Sequence, residues 1–152
     1  MAVIQRTIDI PATPRSVWEK IADIGGVDAM MSFLTDARID GDRRVCGLAT
    51  GGELTEIVLS VDNDLRRVAY AIVDSPFGLE FHSASMTVTG SDDAAQPEGT
   101  AQPEGTAQLV WTTDVKPDSA GEQVAGLIDS ELSNISEFLS NRTAHQTSRE
   151  VS

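Results

Sequence analysis

The chain has 152 residues, 40% of them apolar, and carries 24 acidic against 11 basic side chains for a formal net charge of −13. That length and composition support one domain with a sizeable core and no need of a disulfide or structural metal. The charge repels a phosphate backbone, which excludes nucleic acid as a partner. Cys46 is the lone cysteine and there are two histidines, so neither a cysteine cluster nor a His-rich zinc site can be assembled.

The first residues show no basic leader followed by an apolar run and a cleavage site, and no apolar stretch reaches the roughly 20 residues of a membrane-spanning helix. The expectation is a cytoplasmic protein without a membrane span, monomeric or homodimeric, whose acidity is a solvated, self-repelling surface.

From Val3 to Ile10 apolar residues alternate, with Ile4, Ile8 and Ile10 on one face together with Arg6, the period of a half-buried strand. Pro11 and Pro14 stop it. Thr13 suits an N-cap with Pro14 at the first helical position, and Val17, Trp18, Ile21 and Ile24 recur at helical spacing until Gly25-Gly26. Val27 to Phe33 is a short helical or loop segment. Strand periodicity then holds through Thr35–Asp40, Val45–Thr50, Glu53–Val61, Arg67–Val73, Glu80–Thr89 and Gln108–Val115. The separators are Gly41-Asp42, Gly51-Gly52, Asp62-Asn63-Asp64, Ser75-Pro76-Phe77-Gly78 and a long polar loop. That loop, residues 94–107, contains Ala-Gln-Pro-Glu-Gly-Thr twice in tandem and is expected to be a flexible hairpin tip of no assigned function. Val124, Leu127, Ile128, Leu132, Ile135, Phe138 and Leu139 mark one face of a closing helix of about five turns. Residues 140–152, His145 among them, are expected as a polar disordered tail behind a domain of residues 1–139.

The order of these elements, together with Ile8-Asp9-Ile10-Pro11-Ala12, Val17-Trp18, Ile24-Gly25-Gly26, Thr55-Glu56, Arg66-Arg67-Val68-Ala69-Tyr70 and Thr106-Ala107-Gln108-Leu109-Val110-Trp111, resembles the SRPBCC (START-like) superfamily and its polyketide cyclase/dehydrase-like branch. The resemblance covers residues 3 to 139. It implies an α+β helix-grip fold, in which a curved seven-stranded antiparallel sheet wraps a long C-terminal helix and leaves a cavity for a small apolar or amphipathic molecule. Where many relatives have a Trp-His-Pro-like stretch, this chain has Met30-Met31-Ser32, which removes an aromatic and a potential acid/base group and leaves a pliable apolar rim.

Strand alternation assigns the inward faces. Leu54, Glu56 and Val58 share one parity, Tyr70 and Ile72 another, as do His82, Ala84, Met86 and Val88, and Leu109, Trp111 and Val115; helical spacing sets Glu131 near the stripe that holds Ile128. The expected cavity lining is therefore Glu56, Val58, Tyr70, Ile72, His82, Ala84, Met86, Trp111, Ile128 and Glu131, with Trp18 in the core and Trp111 more a core residue than a ligand platform. Met30, Met31, Phe33, Pro76 and Phe77 are expected to form a partly exposed gate. The resemblance gives the position of Glu56 a ligand-orienting role.

Inside a cavity a carboxyl has its pKa raised and an imidazole has its lowered, which makes Glu56 and His82 the candidate acid/base pair. The alternative is that Glu56 points to solvent through a register error or pairs with an arginine across the sheet, and that His82 is a satisfied wall residue. Removal by Glu56→Leu is expected to leave folding intact. The motifs of phosphate-binding loops, Gly-x-Ser-x-Gly hydrolases and His-Glu-x-x-His metalloenzymes are absent, and no cofactor or metal is expected. Binding of a small hydrophobic molecule is the leading expectation; a cyclase or dehydratase using Glu56 and His82, and a co-chaperone-like interaction module, are the rivals.

Overall fold

The structure is a computed structural model that describes residues 1–90 and 105–151, with residues 141–151 described by their backbone alone. Most of the loop expected over residues 94–107, including all of the first repeat copy, lies outside the described residues; Ala107, its last residue, opens a strand and is fully buried.

β1 (Ala2–Ile10) stops at Pro11, and α1 (Pro14–Ala22) starts behind a Thr13 cap whose Oγ1 accepts from the Ser16 N–H at 3.1 Å. The helix ends at Ala22, earlier than Gly25-Gly26. Those glycines instead belong to a single 3-10 turn, Ile24–Gly26, that leads into α2 (Val27–Met30).

Six further strands follow: β2 (Leu34–Asp40), β3 (Arg43–Leu48), β4 (Glu53–Asp62), β5 (Arg67–Asp74), β6 (Phe81–Thr89) and β7 (Ala107–Lys116). All neighbours are antiparallel in the order β1-β7-β6-β5-β4-β3-β2, so the first strand closes against the last and β2 forms the far edge. Gly51 and Gly52 join β3 to β4 at φ of 101° and 84°, a left-handed pair that residues with a Cβ adopt only at a cost.

The long helix α3 (Gly121–Val151) packs against β1, and its Ile128, Glu131, Ile135 and Leu139 are buried. Arg6 on β1 grips Asp129 with two hydrogen bonds, at 2.6 and 3.2 Å. The helix runs on through residues 140–151, where the sequence suggested a disordered tail. No glycine or proline interrupts that stretch, and Ala144, Gln146, Arg149 and Glu150 are sound helix formers, so polarity alone does not end the helix.

This is the α+β helix-grip architecture: a seven-stranded antiparallel sheet, a long C-terminal helix and short helices after the first strand. Among the described residues no helix is long and apolar enough to cross a membrane.

Candidate functional site

Strand parity turns Arg44, Cys46 and Leu48 of β3, and Leu54 and Glu56 of β4, toward the core. Arg44 and Glu56 are direct partners in the β3–β4 ladder. The Arg44 Nε–H donates to Glu56 Oε1 at 2.7 Å, and its Nη1–H donates to the Ile24 carbonyl at 3.0 Å. Burial pushes the Glu56 carboxyl above its usual range, and the charge and hydrogen bond of Arg44 oppose that push. Of the placements drawn from sequence, Glu56 thus combines two and rejects the solvent-facing one: it is inward, and it pairs with an arginine across the sheet. Cys46, also buried, offers its thiol to Glu56 at 3.9 Å, and burial followed by the Glu56 charge raises its pKa to about 12. That thiol is inert.

The β5–β6 ladder runs from Arg67↔Thr87 to Tyr70↔Ala84. Its continuation would pair Ile72 with His82, but the ring of His82 takes over there, Nδ1 accepting from the Ile72 N–H at 3.0 Å. With Nδ1 engaged as an acceptor, the neutral imidazole carries its proton on Nε2. Burial lowers its pKa to about 4. The Tyr70 ring lies 5.9 Å from the His82 ring, and the Trp111 indole N–H donates to the Tyr70 hydroxyl at 3.1 Å. Burial, then the charge of Glu56, pushes the Tyr70 phenol up, so it stays protonated. Thr113, on the same face of β7 as Trp111, is 1% exposed and its Oγ1 has no hydrogen-bond partner among the described residues.

These side chains meet around a cavity of about 80 Å³ between the concave sheet face and the helices. Of the lining expected from sequence, Glu56, Tyr70, Ile72, His82, Met86, Trp111 and Ile128 border it. Val58, Ala84 and Glu131 do not. Val58 sits at a register shift in β4, and Ala84 is buried with a side chain of one carbon. Glu131 faces the end of α2: its Oε1 accepts from the Ser32 hydroxyl at 2.6 Å and the Phe33 N–H at 3.2 Å, and its Oε2 from the Ser32 N–H at 3.0 Å and Asn134 at 3.1 Å. Burial alone would raise its pKa, but these hydrogen bonds outweigh burial and hold the carboxyl below its usual range.

The expected gate is likewise divided. Met30, the last residue of α2, and Met31, the extended residue that caps it, are buried wall residues, 6% and 4% exposed. Phe33 and Phe77 border the cavity half-exposed, and Pro76 is exposed and outside the lining.

Sequence reasoning did not single out Arg44 or Thr113. Both carried a signal: Arg44 has the parity of Cys46, and Thr113 that of Trp111 and Val115. Starting β3 at Val45 left Arg44 off the strand. Lys20 and Asp23, at the end of α1, also border the cavity.

A curved antiparallel sheet gripping a long helix around a cavity with a few inward polar groups defines the class of helix-grip proteins, the SRPBCC superfamily. Residues 1–137 match the sequence model of the family described as "Polyketide cyclase / dehydrase and lipid transport", and the chain belongs to that family. No curated protein matches it significantly in sequence. Among solved structures, an uncharacterized protein from Bacillus thuringiensis superposes with a TM-score of 0.77 at 15% identity, over 91% of this chain and 98% of that one. The protein XoxI from Bacillus cereus gives 0.76 at 16% identity, over 93% and 95%. Norcoclaurine synthase from Thalictrum flavum, in complex with dopamine and hydroxybenzaldehyde, gives 0.61 at 16% identity, over 91% and 86%. At these identities the likeness is one of fold.

Proposed function

We propose that this protein binds a small, mostly apolar molecule in the cavity between the sheet and α3. The observation that carries this is Thr113 Oγ1, a buried hydroxyl without a partner among the described residues on the wall of a mostly apolar cavity. A buried polar group left unpaired is costly, so the site is built for a hydrogen bond that a guest supplies. The family's description, which includes lipid transport, supports the same reading. So does the fold of norcoclaurine synthase, whose structure holds two small aromatic molecules.

The volume sets the size of the guest. About 80 Å³ is room on the order of several waters and lies below the roughly 300–1,000 Å³ of drug-sized sites. The guest is therefore small: the space is about half the roughly 150 Å³ that takes up a benzene ring, so a single-ring guest enters as the thioethers of Met30 and Met31 swing aside.

Binding accounts for the polar residues better than catalysis does. His82 has its Nδ1 lone pair committed to Ile72 and its other nitrogen protonated, so it has no free site for accepting a proton. Glu56 is tied to Arg44. Native mass spectrometry of gently purified protein tests the proposal: a retained small molecule, lost on denaturation, is expected, and protein that neither retains nor takes up any such molecule would contradict it.

A further inference from the structure

The polar groups around the cavity select among apolar guests. Tyr70, Ala84 and Thr113 are ladder neighbours across β5, β6 and β7, and His82 is the next inward residue along β6. Ala84, the smallest of these side chains, separates the larger ones, so three hydrogen-bonding side chains surround one small residue. The Tyr70 oxygen already accepts from Trp111, which leaves its own O–H to donate. The His82 Nδ1 already accepts, which leaves Nε2–H to donate. The Tyr70 O–H has no acceptor among the described residues. Thr113 Oγ1 has no partner there at all.

The charged groups that border the same cavity balance one another. Lys20, Arg44, Asp23 and Glu56 all border it, and both cations have partners: Arg44 has Glu56 and the Ile24 carbonyl, Lys20 the Phe138 carbonyl at 2.6 Å and the Phe138 ring. Arg44 is neutralised by Glu56 and Lys20 is held at Phe138, whereas the donors clustered at Tyr70, His82 and Thr113 suit a neutral acceptor.

We infer that the guest is an uncharged molecule with a carbonyl-type oxygen, which accepts hydrogen bonds from the Tyr70, His82 and Thr113 cluster while its apolar body lies against Met86 and Ile128. This rests on the proposed binding function and adds the chemistry of the guest. A carboxylate of the same shape would give up its hydration in a cavity that already holds the Glu56 carboxylate, with the Arg44 guanidinium spent on that partner. A plain hydrocarbon would leave the three donors unpaired.

Three single-ring probes separate the cases: acetophenone, ethylbenzene and benzoate, each titrated at neutral pH into the full-length protein while the Trp111 indole N–H is followed by NMR. Acetophenone is expected to bind at least as tightly as the more hydrophobic ethylbenzene and at least about tenfold more tightly than benzoate. Thr113→Val, which keeps shape and removes the hydroxyl, and Tyr70→Phe are each expected to weaken acetophenone by about three- to tenfold and to leave ethylbenzene unchanged. Benzoate binding as tightly as acetophenone, or donor-removing variants that leave acetophenone unaffected, would overturn the inference while the binding function stands. Failure of all three probes to perturb the cavity would overturn both.

Discussion

Arg44 and Glu56 stand directly opposite each other on β3 and β4, joined at 2.7 Å with side chains only 4% and 8% exposed. An ion pair held this deep gives little net stability over an apolar pair, but its halves cannot be separated cheaply. That reverses the expectation for Glu56→Leu drawn from strand parity alone.

Glu56→Leu and Arg44→Met should each destabilise the protein by about 3–5 kcal/mol, because each strands the opposite charge in the core. The double variant should recover most of that loss. Denaturant unfolding of the four proteins checks it, and single variants as stable as the parent would show that the pair is not closed in solution.

His82 ties stability to pH. Its folded pKa, about 4, lies below its ordinary 6.5, so between those values the unfolded chain binds more protons than the folded one. The stabilisation is fully present above about pH 6.5 and is lost as pH falls toward 4, about 3 kcal/mol over the window. Nitrogen-15 NMR should find His82 as the Nε2–H tautomer and still neutral at pH 5. His82→Gln should flatten the pH dependence of stability between 6.5 and 4. A ring that titrates near 6.5 would refute the assignment.

Glu131 fastens α3 to the segment behind α2 by accepting from Ser32 and Phe33. Glu131→Ala should cost about 1–3 kcal/mol, since it leaves these donors unpaired. It should also speed hydrogen exchange of the Ser32 and Phe33 amides more than that of the sheet. Uniform change across the molecule would mean that the carboxylate supports the fold generally and not this segment.

Much of the fold was legible because two periods run almost unbroken through the chain. Alternation at Leu54-Glu56 and His82-Ala84-Met86 matches the observed inward faces, and Thr13-Pro14 starts the helix as its chemistry requires. The details that escaped depend on relationships that no local pattern encodes. The ladder register decides that Arg44 meets Glu56. Helical rotation of α3 against α2 decides that Glu131 serves a backbone turn and does not line the cavity. A short helix and its extended cap residue hold Met30 and Met31 in buried positions, where loop composition suggested an exposed rim. His82 was legible as inward, but its bond to the Ile72 amide appears only where the β5–β6 ladder stops.

The location of a guest can be read from the four methionines. Met30, Met31 and Met86 border the cavity, and Met1 is 58% exposed on the surface. With carbon-13 methyl labels and saturating acetophenone, the account predicts shifts and intermolecular nuclear Overhauser effects at the methyls of Met30, Met31 and Met86, with Met1 silent. A bound probe that leaves the three cavity methyls unmoved would place the ligand elsewhere and contradict the central claim.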